Sequence, residues 1–595
     1  MAAEQETTSL GRYLATRLRE VGCSHVFAVP GDFNLSLLDE FNTTPGVKMC
    51  WTCNELGAGY AADGFARSRG VAACIVTFCV GGLSAINACA GAYSEDLPVI
   101  FISGGPNTND FSANHLLHHT VGLPNDYSQQ VAAYRPFTCA QVVIQHVSEA
   151  HHQIDFAISQ ALIKQKPAYI EICCNLPTLK HDSFLDPPVP FALAARHTNA
   201  VSLAAAVAAA AKAIGSAVKP LWLGGPRLRA RGRRQAFLAA AETTGYPVAM
   251  LPDGKGFFPE DHAQYIGTYW GSISSPRVSP AVESADVTIS VGAVWTDYST
   301  LGYSVMLKPG HVIDVQPDRV TILGGKTFGC IDMEDFLEAL AKTLRNDPRP
   351  LEVLRRMDPH RPSARQLGAA APPAPEAAAA DGADGADGAD GGAAATLTTL
   401  GVERRVAAAM APGTTLLAET GDSWFHCVKV PLPRGAGFEV QMRYGSIGWS
   451  VGATLGYSLA AQPGGRVLAC IGDGSFQMVA QEVSSMLRWG ACPILLLLNN
   501  SSYVIEEMIH GGSYNSLQVW DYIGFAKALH NGQGKLWTAL VSTEPQLAAA
   551  LAEAAGKPDH LCFIEARLPS DDCSPELLEF GARVSAANGR PPVYV

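Results

Sequence analysis

Arg466-Val467-Leu468-Ala469-Cys470-Ile471 runs directly into Gly472-Asp473-Gly474-Ser475, and 24 residues separate Gly474 from Asn499-Asn500. The first six residues read as a buried strand, and the two glycines let the backbone turn sharply and approach an anion with no side chain in the way. Ala480 to Trp489 has helical periodicity, and Pro493 to Leu498 is an unbroken apolar run that reads as the next strand. A strand, a helix and a parallel strand bring Asp473 and Asn500 to the same carboxyl edge of one sheet. Magnesium takes about six oxygens and shares them readily with phosphates and water. Asp473, Asn500 and a nearby backbone carbonyl therefore suit a metal diphosphate. Gly-Asp-Gly alone is ordinary turn chemistry; its placement between two strands, at this distance from Asn-Asn, carries the information.

Bulk composition narrows the function classes. At 595 residues and 48% apolar content the chain has material for several cores. Net charge is −12, from 43 basic and 55 acidic residues, and no basic run offers a footprint for nucleic acid. No apolar stretch is long enough to span a membrane, and Met1 to Thr8 is acidic rather than a signal segment, so the expectation is a cytoplasmic protein without a membrane partner. The 15 cysteines are scattered, many within apolar runs, as expected of reduced, buried thiols. No GxxxxGK[ST] loop occurs, and no GxGxxG opens a helix after the first strand, which removes the usual signatures of nucleotide hydrolysis and hydride transfer.

Strand and helix patterns alternate in three blocks, 8–186, 199–346 and 396–568, which predicts an α/β protein of three doubly wound parallel-sheet domains. Residues 360–395 carry Pro372-Pro373 and an Ala-Asp-Gly repeat with almost nothing to bury, and read as a disordered linker. Residues 569–595 read as a tail closing the active site.

Further residues make a pattern with the metal motif. Asn54-Glu55-Leu56-Gly57 opens a helix directly after a strand; Val29-Pro30-Gly31-Asp32-Phe33-Asn34 ends another; His118-His119 lies in a polar stretch. Taken singly, Glu55 would be a first-turn helix residue, Asp32 an N-cap and the histidines a loop. Glu419-Thr420-Gly421, Tyr444-Gly445-Ser446-Ile447-Gly448 and Tyr503-Val504-Ile505-Glu506 flank the metal motif. Together these segments resemble the thiamine-diphosphate-dependent 2-keto acid decarboxylases over nearly the whole chain except the linker.

The resemblance implies the following assignments. The three blocks are pyrimidine-binding, central and diphosphate-binding domains. Asp473, Asn500 and the Ser502 carbonyl hold Mg2+, and Gly472, Gly474 and Ser475 cradle the diphosphate. Thr420, Gly445, Ser446 and Ile447 hold the pyrimidine half of thiamine diphosphate in a bent form. Glu55, from a second subunit, hydrogen-bonds the aminopyrimidine and sets its tautomer. Asp32, His118, His119 and Glu506 handle protons, with Asp32 and Glu506 pushing each other's proton affinities apart in one dry pocket. Ile505 and Ile509, four apart on a helix, wall a small acyl pocket. The implied reaction is nonoxidative decarboxylation of pyruvate to acetaldehyde in fermentation, by a homodimer at minimum and a homotetramer in full. The alternatives are a larger 2-keto acid such as indolepyruvate or phenylpyruvate, a flavin-containing acetolactate synthase, or an inactive protein that keeps the fold. Ser502 stands where the family commonly has glycine; its backbone carbonyl can still coordinate, but a left-handed backbone there would cost about 1 kcal/mol. No cysteine lies between Asn175 and Gly329, so activation through a central-domain thiol is not expected.

Overall fold

The computed structural model describes residues 6–113, 115–121, 126–193, 197–357 and 395–592. Its apolar runs form one large sheet in each block. In the first, strands Lys48–Trp51, His25–Ala28, Ala72–Val76, Val99–Gly105, Ala168–Cys173 and Gln141–Ile144 lie side by side in that order, all parallel. In the third the sequence is Gly437–Val440, Thr414–Ala418, Arg466–Gly472, Ile494–Asn499, Leu561–Arg567 and Leu536–Val541, again all parallel. Numbered by appearance, both sheets run 2-1-3-4-6-5. Strand order reverses between the first and third strands of each, and in open parallel sheets a crevice for ligands opens at that reversal. Every residue of Ala72–Val76 and Ile494–Asn499 is buried, which is why these strands read as unbroken apolar runs.

The central sheet departs from the expected all-parallel form. Tyr265–Thr268, Val248–Met250, Pro220–Gly224, Val287–Val291 and Val312–Gln316 are parallel, but Arg319–Ile322 and Thr327–Gly329 extend it antiparallel. Pro317-Asp318 leaves two residues between Gln316 and Arg319, enough for a hairpin and far too few for a parallel crossover. Residues 360–394 of the expected linker lie outside the described residues. In the tail, Pro575–Asn588 is a helix packed on Val504–Ile509, where Gly581 abuts the Met508 backbone. Among the described residues no helix is long and apolar enough to cross a membrane. All fifteen cysteines are free thiols.

The first and third blocks meet through two helices. Glu55–Arg69 starts at Asn54, whose side chain accepts from the Gly57 N–H at 2.7 Å, and stops at Gly70 in a left-handed conformation, φ +88°. Trp449–Ala460 crosses it so closely that a methyl on Gly64 would overlap the Ala453 backbone, and one on Gly456 the Ala61 carbonyl oxygen. Beyond the crossing a fully buried Arg67 guanidinium pairs with Asp63 at 2.7 Å and lies 4.5 Å over the Trp449 ring, while Trp449 Nε1 donates to Asp63 at 2.8 Å. Because the contact at Gly456 is backbone on backbone, no side-chain rotation relieves a clash there. Gly456→Ala should cost about 3 kcal/mol or more, seen as a lower melting temperature; an unchanged melting temperature would mean that the helices do not cross at this distance.

Candidate active site

A cavity of about 280 Å³ sits at the strand-order reversal of the third sheet. Thr414–Ala418 leads into Thr420 and Gly421 on one side, and Arg466–Gly472 delivers Gly472, Asp473, Gly474 and Ser475 on the other. Asn500, Ser502, Ile505 and Glu506 close it from the turn after Ile494–Asn499, with Ile447 and Met478 opposite. Asp473 is the first residue of the helix Asp473–Val479, earlier than the helical pattern at Ala480 suggests. Its carboxylate accepts from the Gly474 N–H at 2.9 Å and the Ser501 N–H at 2.7 Å. Burial lifts the Asp473 carboxyl to about 6, against these backbone donors, which lower it. A buried carboxylate held by two N–H groups at a crevice mouth is a fixed, hard oxygen ligand.

The remaining predicted residues assemble elsewhere. Asp32 follows His25–Ala28 and pairs with His118 Nε2 at 2.7 Å, with His119 Nε2 at 3.8 Å; Phe33 stacks on the His118 ring. Glu55 opens its helix after Lys48–Trp51, its carboxylate beside Gly81. Gly445 adopts φ +63°, and the Ser446 hydroxyl meets Tyr60 OH at 2.5 Å across the helix crossing. Of the predicted site residues, Asp32, Glu55, His118, His119, Gly445, Ser446 and Ile509 do not line the 280 Å³ cavity. Asp32 and Glu506 therefore do not share one pocket within a single chain. Ile505 belongs to the apolar core of the third block and also lines the cavity, whereas Ile509 is partly buried against that core and does not line it.

Family models match in the same three places: the N-terminal thiamine pyrophosphate binding domain over 8–129, the central domain over 207–340 and the C-terminal thiamine pyrophosphate binding domain over 423–566. The chain belongs to the thiamine pyrophosphate enzymes. Pyruvate decarboxylase 1 of Pisum sativum is 50% identical over 585 residues, covering 98% of this chain and 94% of the relative. Pyruvate decarboxylase 1 of Zea mays is 50% identical and pyruvate decarboxylase 4 of Arabidopsis thaliana 49%, each over 98% of this chain and 92% and 93% of the relative. The expected kinship with 2-keto acid decarboxylases is borne out.

As a thiamine pyrophosphate enzyme the chain has residues that fit the cofactor. Thr420 lines the cavity with its hydroxyl beside the Glu419 carboxylate, a polar group within reach of a ligand there. A methyl on Gly472 would meet nothing within 4 Å, while one on Gly474 would strike the Tyr503 ring, so the turn is open toward the crevice and closed behind. The conditional cost at Ser502 does not arise. Ser501, not Ser502, takes the left-handed conformation, φ +63°. The reason is Asp473: its carboxylate takes the Ser501 N–H, and the turn bends at the residue that supplies it.

Two buried glutamates in this family fold escaped sequence reading. Glu419 accepts from the N–H groups of Thr420 at 2.7 Å, Gly448 at 3.2 Å and Ser450 at 3.1 Å, and from Ser450 Oγ at 2.5 Å. It braces the loop bearing Gly445, Ser446 and Ile447, and burial raises its carboxyl. Glu482 accepts from the Cys53 N–H at 3.1 Å and so holds the turn that leads to Glu55, again with burial raising its carboxyl. An acidic residue at the end of an apolar strand, as at Ala418-Glu419, is the one signal that could have marked the first. Glu419→Ala leaves two or three buried N–H groups unpaired at about 1–3 kcal/mol each. The expected result is a lower melting temperature together with weaker thiamine diphosphate binding by calorimetry; normal values of both would show that the loop does not depend on Glu419.

Proposed function

We propose that this protein decarboxylates pyruvate to acetaldehyde and carbon dioxide with thiamine diphosphate and Mg2+. The observation that carries this reading is the cavity at the strand reversal, which gathers Thr420, Ile447, Asp473, Asn500 and Glu506 in a chain half identical to named pyruvate decarboxylases along almost its whole length. When bound, the cofactor supplies the carbon nucleophile and the electron sink for cleavage of the carbon–carbon bond. Asp473, Asn500 and the Ser502 carbonyl would hold the metal, with the backbone of Gly472 to Ser475 against the diphosphate. Thr420 and the Gly445 to Ile447 loop would hold the pyrimidine half and fix its bend. Glu55 holds a proton at the aminopyrimidine nitrogen. Asp32 and His118, already paired, donate and remove protons at the substrate carbon and oxygen, with His119 beside them and Glu506 facing them across the pocket.

These groups meet only when a second chain adds its Glu55, Asp32 and histidines to the cavity, so the working unit is at least a homodimer and, by kinship, a homotetramer. Exposed Val80 and Leu83 beside Glu55, and exposed Tyr444 and Met478 beside the cavity, give apolar surface for that contact. A cytoplasmic, fermentative role completes the proposal, supported by fifteen free thiols, which suit a reducing compartment.

Ile505 favours pyruvate over indolepyruvate or phenylpyruvate, because its buried side chain narrows the cavity wall. Aldehyde release from a panel of 2-keto acids tests the reading. Pyruvate should turn over best, and turnover should cease when thiamine diphosphate or Mg2+ is withheld. Turnover of the aryl acids alone would overturn it. Ile505→Ala should shift the ratio of kcat/KM toward larger acids by about tenfold, roughly 1.4 kcal/mol; an unchanged ratio would remove Ile505 from the acyl pocket.

A further inference from the structure

Behind the cofactor cavity lies a cluster of soft ligands that the decarboxylation does not use. Asp422–Lys429 begins directly after Thr420-Gly421 and carries His426 and Cys427; Arg466–Gly472 carries Cys470 three residues before Asp473. One ring nitrogen of His426 and the sulfurs of Cys427 and Cys470 all lie within 4.8 Å of one another, and all three residues are buried. His426 is 1% exposed, and the polar group that meets its ring is the Cys470 thiol. A buried imidazole has two nitrogens to satisfy, and a weak thiol contact leaves room for a stronger ligand. Its neighbours are thiols, and its ring borders the cavity together with Asp422. Within this buried pair the Cys427 thiol donates to Cys470, which holds Cys470 below the usual thiol range and, with burial, lifts Cys427 well above it.

We propose that His426, Cys427 and Cys470 bind a thiophilic d10 cation of the Zn2+ and Cd2+ class, reached through the cofactor cavity. One nitrogen and two sulfurs select such ions over Mg2+, which prefers the oxygens of Asp473 and Asn500, so the two metals would not compete. Binding deprotonates the thiols, the protons pass to solvent, and the imidazole coordinates as the neutral ring. The ion would tie the helix that follows Thr420 to the strand that ends at Asp473, fixing the two walls of the cofactor site against each other. Entry through the cavity also means that bound thiamine diphosphate should slow loading.

The test is titration of the reduced full-length protein with Cd2+ in excess Mg2+, followed by thiolate-to-cadmium absorbance, with and without thiamine diphosphate. The expected result is saturation at one ion per chain, with slower loading when the cofactor is present. The band should vanish in Cys470→Ser and its affinity fall about tenfold or more in His426→Asn, while Cys330→Ser, which removes an exposed thiol, leaves it unchanged. No saturable band, or a band of equal strength and affinity in His426→Asn, would overturn the proposal. Should Cys470→Ser fail to fold, the His426→Asn titration decides alone.

Discussion

The close crossing of Glu55–Arg69 with Trp449–Ala460 fixes, within one chain, the spacing between the two half-sites that the chain presents. One helix begins at Glu55, and the other begins where the Gly445 to Gly448 loop ends. Glycines at the contact bring the two backbones together, so the starting points of both helices are fixed by one rigid packing rather than by flexible side chains. Glu419 then fixes the loop at one end, and Glu482 fixes the turn before Glu55 at the other. Two buried acids thus brace the backbone beside the Gly445 to Ile447 loop and beside Glu55.

A junction of charges extends that rigidity to the central domain. Asp96, in the first block, is bound by Lys166 at 2.6 Å, by Arg443 of the third block at 2.6 Å and by Arg227 of the central block at 3.3 Å. Burial would raise the Asp96 carboxyl, but these three cations hold it at about 2. Arg229 of the central block reaches Glu439 at 2.7 Å, and Glu439 also faces the buried Arg67. Removing one partner from such a buried set strands the others, so the junction acts as a lock on domain orientation more than as a source of net stability.

Much of this was legible in the sequence, for a local reason. The turns that place Asp473 and Asn500 at one crevice lie at strand ends, and strand ends with glycine, aspartate and asparagine are written in consecutive residues. Glu55, Asp32 and the histidine pair could be proposed for the site only together, since each has an ordinary structural use. The features that were missed depend on distant contacts: Glu419 and Glu482 are buried acids whose donors lie on other segments, and the bend at Ser501 follows from the Asp473 carboxylate 28 positions earlier. The antiparallel edge of the central sheet was written in Pro317-Asp318, a two-residue connection that excludes a parallel crossover. A pocket shared by Asp32 and Glu506 requires a second copy of the chain, which no single-chain pattern reveals.

The central claim is that each active site joins Glu55 of one chain to Asp473 of another. Mixing two inactive variants, Glu55→Gln and Asp473→Ala, tests it directly after co-refolding or co-expression. A mixed dimer contains one site with both residues intact, so pyruvate decarboxylation should return in the mixture although neither variant alone has it. Continued absence of activity, with mixed dimers demonstrated by differential tagging, would contradict a site built from two chains.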